Sequence, residues 1–142
     1  MTATINTLDE ADEHFVFGET LRPLLTNAMG SSIEVFDTRG PADAGPPPHQ
    51  HPWEEIYVVI SGELQVTIGE GSPVVVGSGS AAHVPADTVH TYRSLTECHF
   101  LTLTTKGQIS KFFAEAGALE MNPPNIPEII SVANRYGIEV AI

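Results

Sequence analysis

The chain has 142 residues, of which 42% are hydrophobic and 17% charged, and these values are typical of a globular domain whose core is large enough to fold without disulfides. Its formal net charge of −12, from 18 acidic and 6 basic residues, argues against nucleic acid or an anionic membrane as a partner, because both bind clustered Lys and Arg. The single cysteine, Cys98, excludes an internal disulfide, and no run approaches the roughly 20 apolar residues of a membrane-spanning helix.

The N-terminal part begins with a polar, acidic segment, residues 1–13, whose weak periodicity predicts a loose arm or a short edge segment. Because this segment lacks the charged and then apolar pattern of a secretory signal, we expect a cytoplasmic location. Residues 14–18 and 21–25 predict short strands, or a strand and a turn, with Gly18 and Pro23 as breakers.

Residues 31–37 alternate between two faces and predict a further strand. The Pro/Gly-rich segment 39–48 then predicts a loop, and its triple proline holds the chain extended as it enters His49. The loop therefore pre-positions the side chains that follow it at a low entropic cost.

The stretch HQHPWEEIYVVISG, residues 49–62, combines a buried strand with three polar side chains. Because side chains alternate along a strand, His49, His51 and Glu55 point to the same side. Burying an unpaired carboxylate costs roughly several kcal/mol unless a partner or a metal compensates its charge, so these residues are candidate metal ligands. The apolar run 56–60 predicts that both faces of the strand are covered.

The segments that follow predict short strands without alternating helices, a pattern typical of an all-β protein. The strand 63–68 alternates and is predicted to be half-buried. A glycine-rich turn at Gly79 leads into an extended run that ends at His90, a fourth candidate ligand. The other predicted strands are a short buried one at 74–76 and two more at 90–94 and 98–104.

The hydrophobic period changes to that of a helix after residue 107. Ile109, Phe112 and Phe113 lie at helical spacing in a first predicted helix, and residues 127–136 predict a second helix that ends at Gly137. The two phenylalanines predict an apolar face docked on the β-structure, with a lid over a cavity as the alternative.

Two motifs in these stretches resemble those of the cupin superfamily, G-x5-H-x-H-x3,4-E-x6-G and G-x5-P-x-G-x2-H-x3-N. The matching positions are His49, His51, Glu55 and Gly62 in the first motif, and Gly79, Pro85 and His90 in the second. The resemblance implies that the three histidines and Glu55 bind one divalent transition metal. Imidazole and carboxylate donors suit Fe, Ni, Mn, Cu or Zn.

Three positions depart from the cupin motifs. The leading glycine of the first motif falls at Asp43, and the second motif has Asp87 and Ser94 where the family has glycine and asparagine. None of these departures removes a ligand. We predict that Asp87 adopts the left-handed or turn conformation of the glycine that it replaces, because Asp can bond its own backbone there.

The resemblance implies a double-stranded β-helix, or jelly-roll, barrel. We expect a single cupin domain over residues 1–142, with the barrel at about 14–106 and a short C-terminal helical tail at 108–142.

The segments PPPH-x-H-PWEE and FFAEAG are similar to those of the quercetin-dioxygenase-like cupins. This resemblance implies a metal-dependent dioxygenase that opens the ring of a flavonol-like or other enol-containing aromatic small molecule, with Glu55 as both ligand and proton acceptor. A non-catalytic metal-bound cupin that binds a small molecule, and a metal-dependent isomerase or cyclase, stay open as alternatives, because a fold does not determine a function.

Side chains near the ligands are predicted to line a cavity around the metal, although core packing is the alternative for the aromatic ones. They are Trp53, Tyr57, Val59, Val66 and Tyr92. A lone histidine is more often a surface or satisfied core residue, so we expect no direct role for the others. These are His14, His83 and His99, and Cys98 is expected to be a small buried filler.

Ile56, Val58 and Ile60 form an apolar face opposite the predicted ligands. A second layer of the barrel, the N-terminal strands or another subunit must cover this face. Cupins commonly use a partner subunit, so we expect a homodimer.

Overall fold

The computed structural model describes residues 3–105, 107–119 and 123–141. Its strands and helices, in chain order, are β1 (His14–Val16), β2 (Glu19–Leu25), β3 (Ile33–Gly40), β4 (His49–Gln50), β5 (Glu55–Ser61), β6 (Leu64–Ile68), β7 (Val74–Val76), β8 (Ala81–Val84), β9 (His90–Ser94), β10 (Cys98–Thr105), α1 (Ile109–Gly117), α2 (Ile126–Arg135) and β11 (Glu139–Val140). In this described part, no helix is long and apolar enough to cross a membrane.

The strands form two antiparallel sheets. One has six strands in the order β1-β2-β3-β10-β5-β8, and the other has five in the order β11-β4-β9-β6-β7. A buried cluster draws its side chains from both sheets, so the sheets pack face to face as a sandwich. The all-β jelly-roll prediction is confirmed, and the two predicted helices are present.

The period-two alternation of β5 decides which of its side chains are inside. Glu55, Tyr57 and Val59 are buried, whereas Val58 on the outer face is half-buried and Ile60 is 46% exposed. The prediction that both faces of this strand are covered was therefore wrong for the chain by itself. An apolar run does not show which face lies outside when the outer residues are also apolar.

Two further predictions about strands were wrong in detail. Val74 and Val75 are 62% and 48% exposed, because β7 is an edge strand that pairs only with β6 within the described sheet. Pro23 does not end a strand but lies within β2, where the pairing with β3 shifts register before Leu25. A proline lacks the N–H that a regular ladder requires, which explains its position at an irregularity.

The two helices pack beside the sandwich and form a second apolar cluster with β1, β2 and β3. Phe36 of β3 and Phe113 of α1 meet edge to face, with ring centroids 5.2 Å apart. The side chain of Asn125 caps α2 by accepting a hydrogen bond from the backbone N–H of Glu128 at 3.1 Å. After α2, the chain returns to the five-stranded sheet, where β11 pairs with β4.

The outer face of the six-stranded sheet carries an apolar patch of Ile56, Val58, Leu101 and Leu103, all half-buried. Leu101 pairs with Val58, and Leu103 pairs with Ile56, so the patch is continuous across two strands. We propose that a second copy of the chain covers this outer patch. Light scattering at micromolar concentration should then give a dimer mass, which Val58→Glu should shift toward a monomer because a charge would be buried at the interface.

The matched control for this dimer is Gln65→Glu, which adds a charge to the other sheet and should leave the mass unchanged. A monomer mass for the unaltered protein would refute the proposed dimer.

Candidate metal centre

Strand pairing brings the candidate ligands to the seam between the two sheets. His49 of β4 is the direct cross-strand partner of His90 of β9, and their ring centroids lie 4.3 Å apart. Glu55 opens β5 in the other sheet, and His51 lies in the segment between β4 and β5. The chain therefore crosses from one sheet to the other between its second and third candidate ligands.

The loop that enters β4 is held close to the neighbouring strand. A side chain at Gly45 would place a Cβ only 2.1 Å from the carbonyl oxygen of Tyr92, so glycine is required for this approach. Thr91 donates a hydrogen bond from Oγ1 to the Pro46 carbonyl at 2.8 Å. These contacts fix the start of the triple-proline segment that leads to His49.

The donor atoms of His49, His51, Glu55 and His90 converge on one point. One donor atom from each lies within 4.8 Å of the others, and all four side chains are buried. Glu55 Oε2 is the central atom, at 2.8 Å from His51 Nε2 and 3.2 Å from His90 Nε2. Two ligands about 2.1 Å from one ion are separated by about 3 Å at a right angle and about 4.2 Å when opposed, so this spacing is close to that of a metal site.

Each of the three imidazoles uses its other nitrogen to bond a main-chain carbonyl. His49 Nδ1 bonds the Pro47 carbonyl at 2.8 Å, His51 Nδ1 bonds that of Trp53 at 3.0 Å, and His90 Nδ1 bonds that of Thr88 at 2.8 Å. A carbonyl oxygen can only accept, so each Nδ1 must carry the proton. Each Nε2 is then free to present its lone pair to the centre.

This donor set fits a metal ion. A neutral imidazole that donates through Nδ1 faces Glu55 with the lone pair of Nε2, and two acceptors 2.8 Å apart repel unless a cation lies between them. A proton can relieve one such contact, whereas a metal relieves all of them at once. Imidazole and carboxylate donors suit Fe, Ni, Mn, Cu and Zn.

The charges of the centre agree with this role. Burial by itself would raise the pKa of Glu55, but without a metal a proton shared with Nε2 of His51 or His90 outweighs burial and holds the pKa well below its usual range. Burial lowers the pKa of His49 to about 4, helped by the neighbouring His90. Near neutral pH the carboxylate is ionised and His49 is neutral, and both are the forms that bind a metal.

The second motif positions His51 through its aspartate. Asp87 has a φ of 57°, which confirms the left-handed conformation predicted for it. Its backbone N–H donates to the His51 carbonyl at 2.8 Å. The turn between β8 and β9 is therefore tied to the segment that carries the second ligand.

A family model of the cupin domain matches residues 38–104, the segment that contains all four donor residues. This match agrees with the two-sheet fold and with both motifs. Residues 38–104 of the chain are a cupin domain.

Three known proteins illustrate what this cupin is similar to. The quercetin 2,3-dioxygenase of Bacillus subtilis (strain 168) is 27% identical over 109 residues, which are 74% of this chain and 32% of that protein. The chain thus spans about a third of this relative. KdgF from Halomonas sp. aligns with a TM-score of 0.67 at 20% identity, over 78% of this chain and 99% of that one.

The polyketide cyclase RemF from Streptomyces resistomycificus aligns with a TM-score of 0.64 at 21% identity, over 75% of this chain and 80% of that one. At these identities, both structural alignments establish the cupin fold and nothing about the reaction.

A cavity of about 50 Å³ lies beside the centre, between the sandwich and the two helices. His49, Glu55 and Tyr92 line it together with apolar side chains of β1, β2, α1 and α2. The cavity has room for a few water molecules. An aromatic ligand is several times larger, so its binding would require side chains of α1 and α2 to move.

The predicted cavity residues lie in three different places. Tyr92 lines the cavity. Trp53 instead stacks on the His51 ring, with centroids 4.4 Å apart and planes 8° apart, and belongs to the cluster around the helices. Tyr57, Val59 and Val66 lie in the cluster between the sheets. Side chains on the inner face of a strand point into the barrel, but part of that interior is filled by packed side chains.

The remaining histidines lie outside the centre. His83 bonds the exposed carboxylate of Glu54 at 2.8 Å, and His99 bonds Asp37 at 2.7 Å. His14 lies at the start of β1 and is half-buried. Cys98 is buried, in the cluster between the sheets.

Sequence reasoning missed Glu19, which is 2% exposed and lines the cavity. Its oxygen Oε1 accepts a hydrogen bond from the Tyr92 hydroxyl at 2.5 Å. Burial raises its pKa to about 8, and the charge of Glu55 adds to this rise against the opposing effect of the Tyr92 bond. Glu19 lies two residues before the buried Leu21, so the two side chains share a face of the strand. The sequence could have shown this, but the predicted strand began two residues too late to include Glu19.

We predict that this cupin, purified without chelator, contains one transition-metal ion per chain. His51→Ala should weaken metal binding by at least about tenfold, since even the loss of a residue that only hydrogen-bonds a metal ligand has an effect of that size. Acid should release the metal, because protons compete for the imidazoles and for Glu55. Elemental analysis measures the occupancy, and circular dichroism should show the β-fold retained.

His83→Ala is the control for metal binding, because this exposed histidine lies outside the centre. Near-zero metal in the unaltered protein, or equal occupancy in His51→Ala, would contradict the prediction.

Glu19 should make stability depend on pH. Its pKa is about 8 in the folded chain and near 4.5 when unfolded, so between these values the folded state holds a proton that the unfolded state releases. Raising the pH from 5 to 8 should therefore lower the free energy of unfolding, by an amount on the order of a few kcal/mol. Glu19→Gln should reduce this slope.

Urea unfolding in EDTA at several pH values measures this slope without a contribution from metal binding. The titratable groups that interact with Glu19 are Glu55, whose pKa is lowered, and Tyr57, Tyr92 and Cys98, whose pKa values are raised, so none of them changes charge between pH 5 and 8. Equal slopes for the two proteins would show that Glu19 is ionised in the fold.

Proposed function

We propose that this cupin is a metal-dependent dioxygenase that acts on a flavonol-like or other enol-containing aromatic small molecule. The observation that supports it best is the position of the centre. Three histidines and one carboxylate converge at the wall of a cavity whose other lining residues are mostly apolar. Such a wall suits a ring system, and the centre suits an oxygen substituent on that ring.

The similarity to a quercetin 2,3-dioxygenase supports the same reaction class. The aligned part covers 74% of this chain, and the family match within it includes all four donor residues. Because the chain spans only 32% of that relative, the substrate is proposed as a class, the flavonols and related enols.

A bound transition metal would polarise an enol oxygen and supply the redox chemistry that a reaction with dioxygen needs. The protein supplies the geometry. The three carbonyl contacts to Nδ1 orient His49, His51 and His90, so that the donor atoms do not have to reorganise during the reaction. The apolar lining from α1 and α2 excludes water from a reactive intermediate.

Glu55 is proposed as the general base that accepts the proton of the enol. In the structure, its Oε2 lies 2.8 and 3.2 Å from Nε2 of His51 and His90, and positive charge shared at these contacts holds its pKa low. A carboxylate in these contacts is a good ligand and a weak base. It becomes a stronger base when those contacts loosen, so the proposed proton transfer requires Glu55 to change partners when substrate binds.

Oxygen uptake with a panel of flavonols and other enols tests this function in metal-loaded protein. Glu55→Gln should keep much of the metal, because the amide oxygen can still bind it, while oxygen-dependent turnover falls about 100-fold with the loss of a general base. Glu54→Gln is a matched control, since Glu54 is the neighbouring carboxylate and points outward to His83.

The measurement also separates the alternatives. Tight binding of an enol without oxygen uptake would indicate a binding protein, and a product of unchanged mass would indicate an isomerase or cyclase. Either result would refute the dioxygenase function.

A further inference from the structure

Glu19 is a buried carboxyl group that the fold does not explain. It is 2% exposed at the start of β2, and Tyr92 bonds only its Oε1. The second oxygen, Oε2, is buried and has no hydrogen-bond partner among the described residues. An unpaired buried polar atom destabilises a folded protein by about 1–3 kcal/mol. An apolar side chain here would make the fold more stable, so Glu19 needs a reason other than stability.

Glu34 shows what a structural buried glutamate looks like in the same sheet. It is 0% exposed, and its carboxylate accepts hydrogen bonds from the backbone N–H of Asn27 at 3.0 Å and from the backbone N–H and hydroxyl of Ser110 at 3.2 and 2.6 Å. These bonds tie β3 to the preceding loop and to α1. Glu19 makes no comparable set of contacts among the described residues.

The position of Glu19 supplies a reason. It lines the same cavity as His49 and Glu55, and the polar side chains of that lining are these three and Tyr92. His49 and Glu55 belong to the metal centre. Within the described lining, the side chains outside the centre that can hydrogen-bond a molecule in the cavity are therefore those of Glu19 and Tyr92.

The protonation of Glu19 determines which partner it offers. Burial, with a smaller contribution from the charge of Glu55, raises its pKa to about 8 against the lowering effect of the Tyr92 hydrogen bond. Glu19 is then mostly a neutral carboxylic acid at pH 7. Since the Tyr92 hydroxyl donates to Oε1, the acid proton belongs on Oε2, which makes Oε2 a donor that lacks an acceptor.

We propose that Glu19 is a ligand-binding residue whose Oε2 donates a hydrogen bond to an acceptor oxygen of the molecule that enters the cavity. The ligand class is an aromatic or otherwise apolar small molecule with two oxygen functions, one at the metal centre and one at Glu19. Tyr92 is the positioning residue that holds the carboxyl group in place. This inference rests on the proposed function only in its choice of ligand class, and it concerns binding and not oxidation.

Quercetin is the probe, titrated without oxygen into metal-loaded protein so that no turnover occurs, with binding followed by fluorescence. Glu19→Met keeps the side-chain volume but removes both oxygens, and should weaken binding by about 10- to 100-fold, the usual effect of losing a buried hydrogen bond to a ligand. Glu19→Gln keeps an N–H donor and should bind to within about threefold of the unaltered protein.

Metal content and melting temperature separate this role from a structural one. Glu19→Met should retain its metal and melt no lower than the unaltered protein, because the substitution removes an unpaired buried oxygen. Glu34→Met, the matched control, should melt lower because three hydrogen bonds are lost.

Three results would overturn the inference. They are equal quercetin affinity in Glu19→Met, a lowered melting temperature in that variant like that of Glu34→Met, and an absence of quercetin binding to the unaltered protein. The proposed function fails on a different measurement, which is oxygen uptake by the unaltered protein. Binding that depends on Glu19 without any uptake would uphold this inference and refute the dioxygenase.

Discussion

A buried carboxylate that faces imidazole lone pairs is the constraint on which the rest of this cupin depends. Glu55 Oε2 lies within 3.2 Å of two Nε2 atoms, while every Nδ1 is bonded to a main-chain carbonyl. Without a cation, the cost of burying this charge and these opposed acceptors is several kcal/mol, roughly. The hydrogen bonds from each Nδ1 to a backbone carbonyl therefore favour binding of a cation at the centre.

The sandwich tolerates this cost because its apolar core is elsewhere. One cluster fills the space between the sheets around Tyr57 and Phe100, and a second forms under the helices around Phe36 and Phe112. The centre and its cavity lie between these two clusters, where the mostly apolar lining lowers the local dielectric. Lower dielectric strengthens every charge interaction at the centre, including those that perturb Glu19 and Glu55.

Local patterns predicted most of the fold and all four donor residues. Alternation along β5 places Glu55 correctly, and the spacing of Ile109 and Phe112 identifies α1, because both periods are properties of the backbone itself. What the sequence could not show depends on packing between distant segments. Val74 is exposed because its strand lies at the edge of a sheet. Val66 lies in the cluster between the sheets and not at the cavity. Glu19 is buried against Tyr92, which is 73 residues away in the sequence.

The two-residue strand β4 links the candidate metal centre to the C-terminal strand. β4 has two residues, and its His49 is bracketed by His90 of β9 on one side and by Val140 of β11 on the other. A first ligand is thus carried by a ribbon whose outer edge is the C-terminal tail. An ion bound by His49 would, by reciprocity, stabilise the pairing of β11 with β4, and loss of that pairing would weaken binding of the ion. The position of the C-terminal strand would then depend on whether the metal centre is occupied.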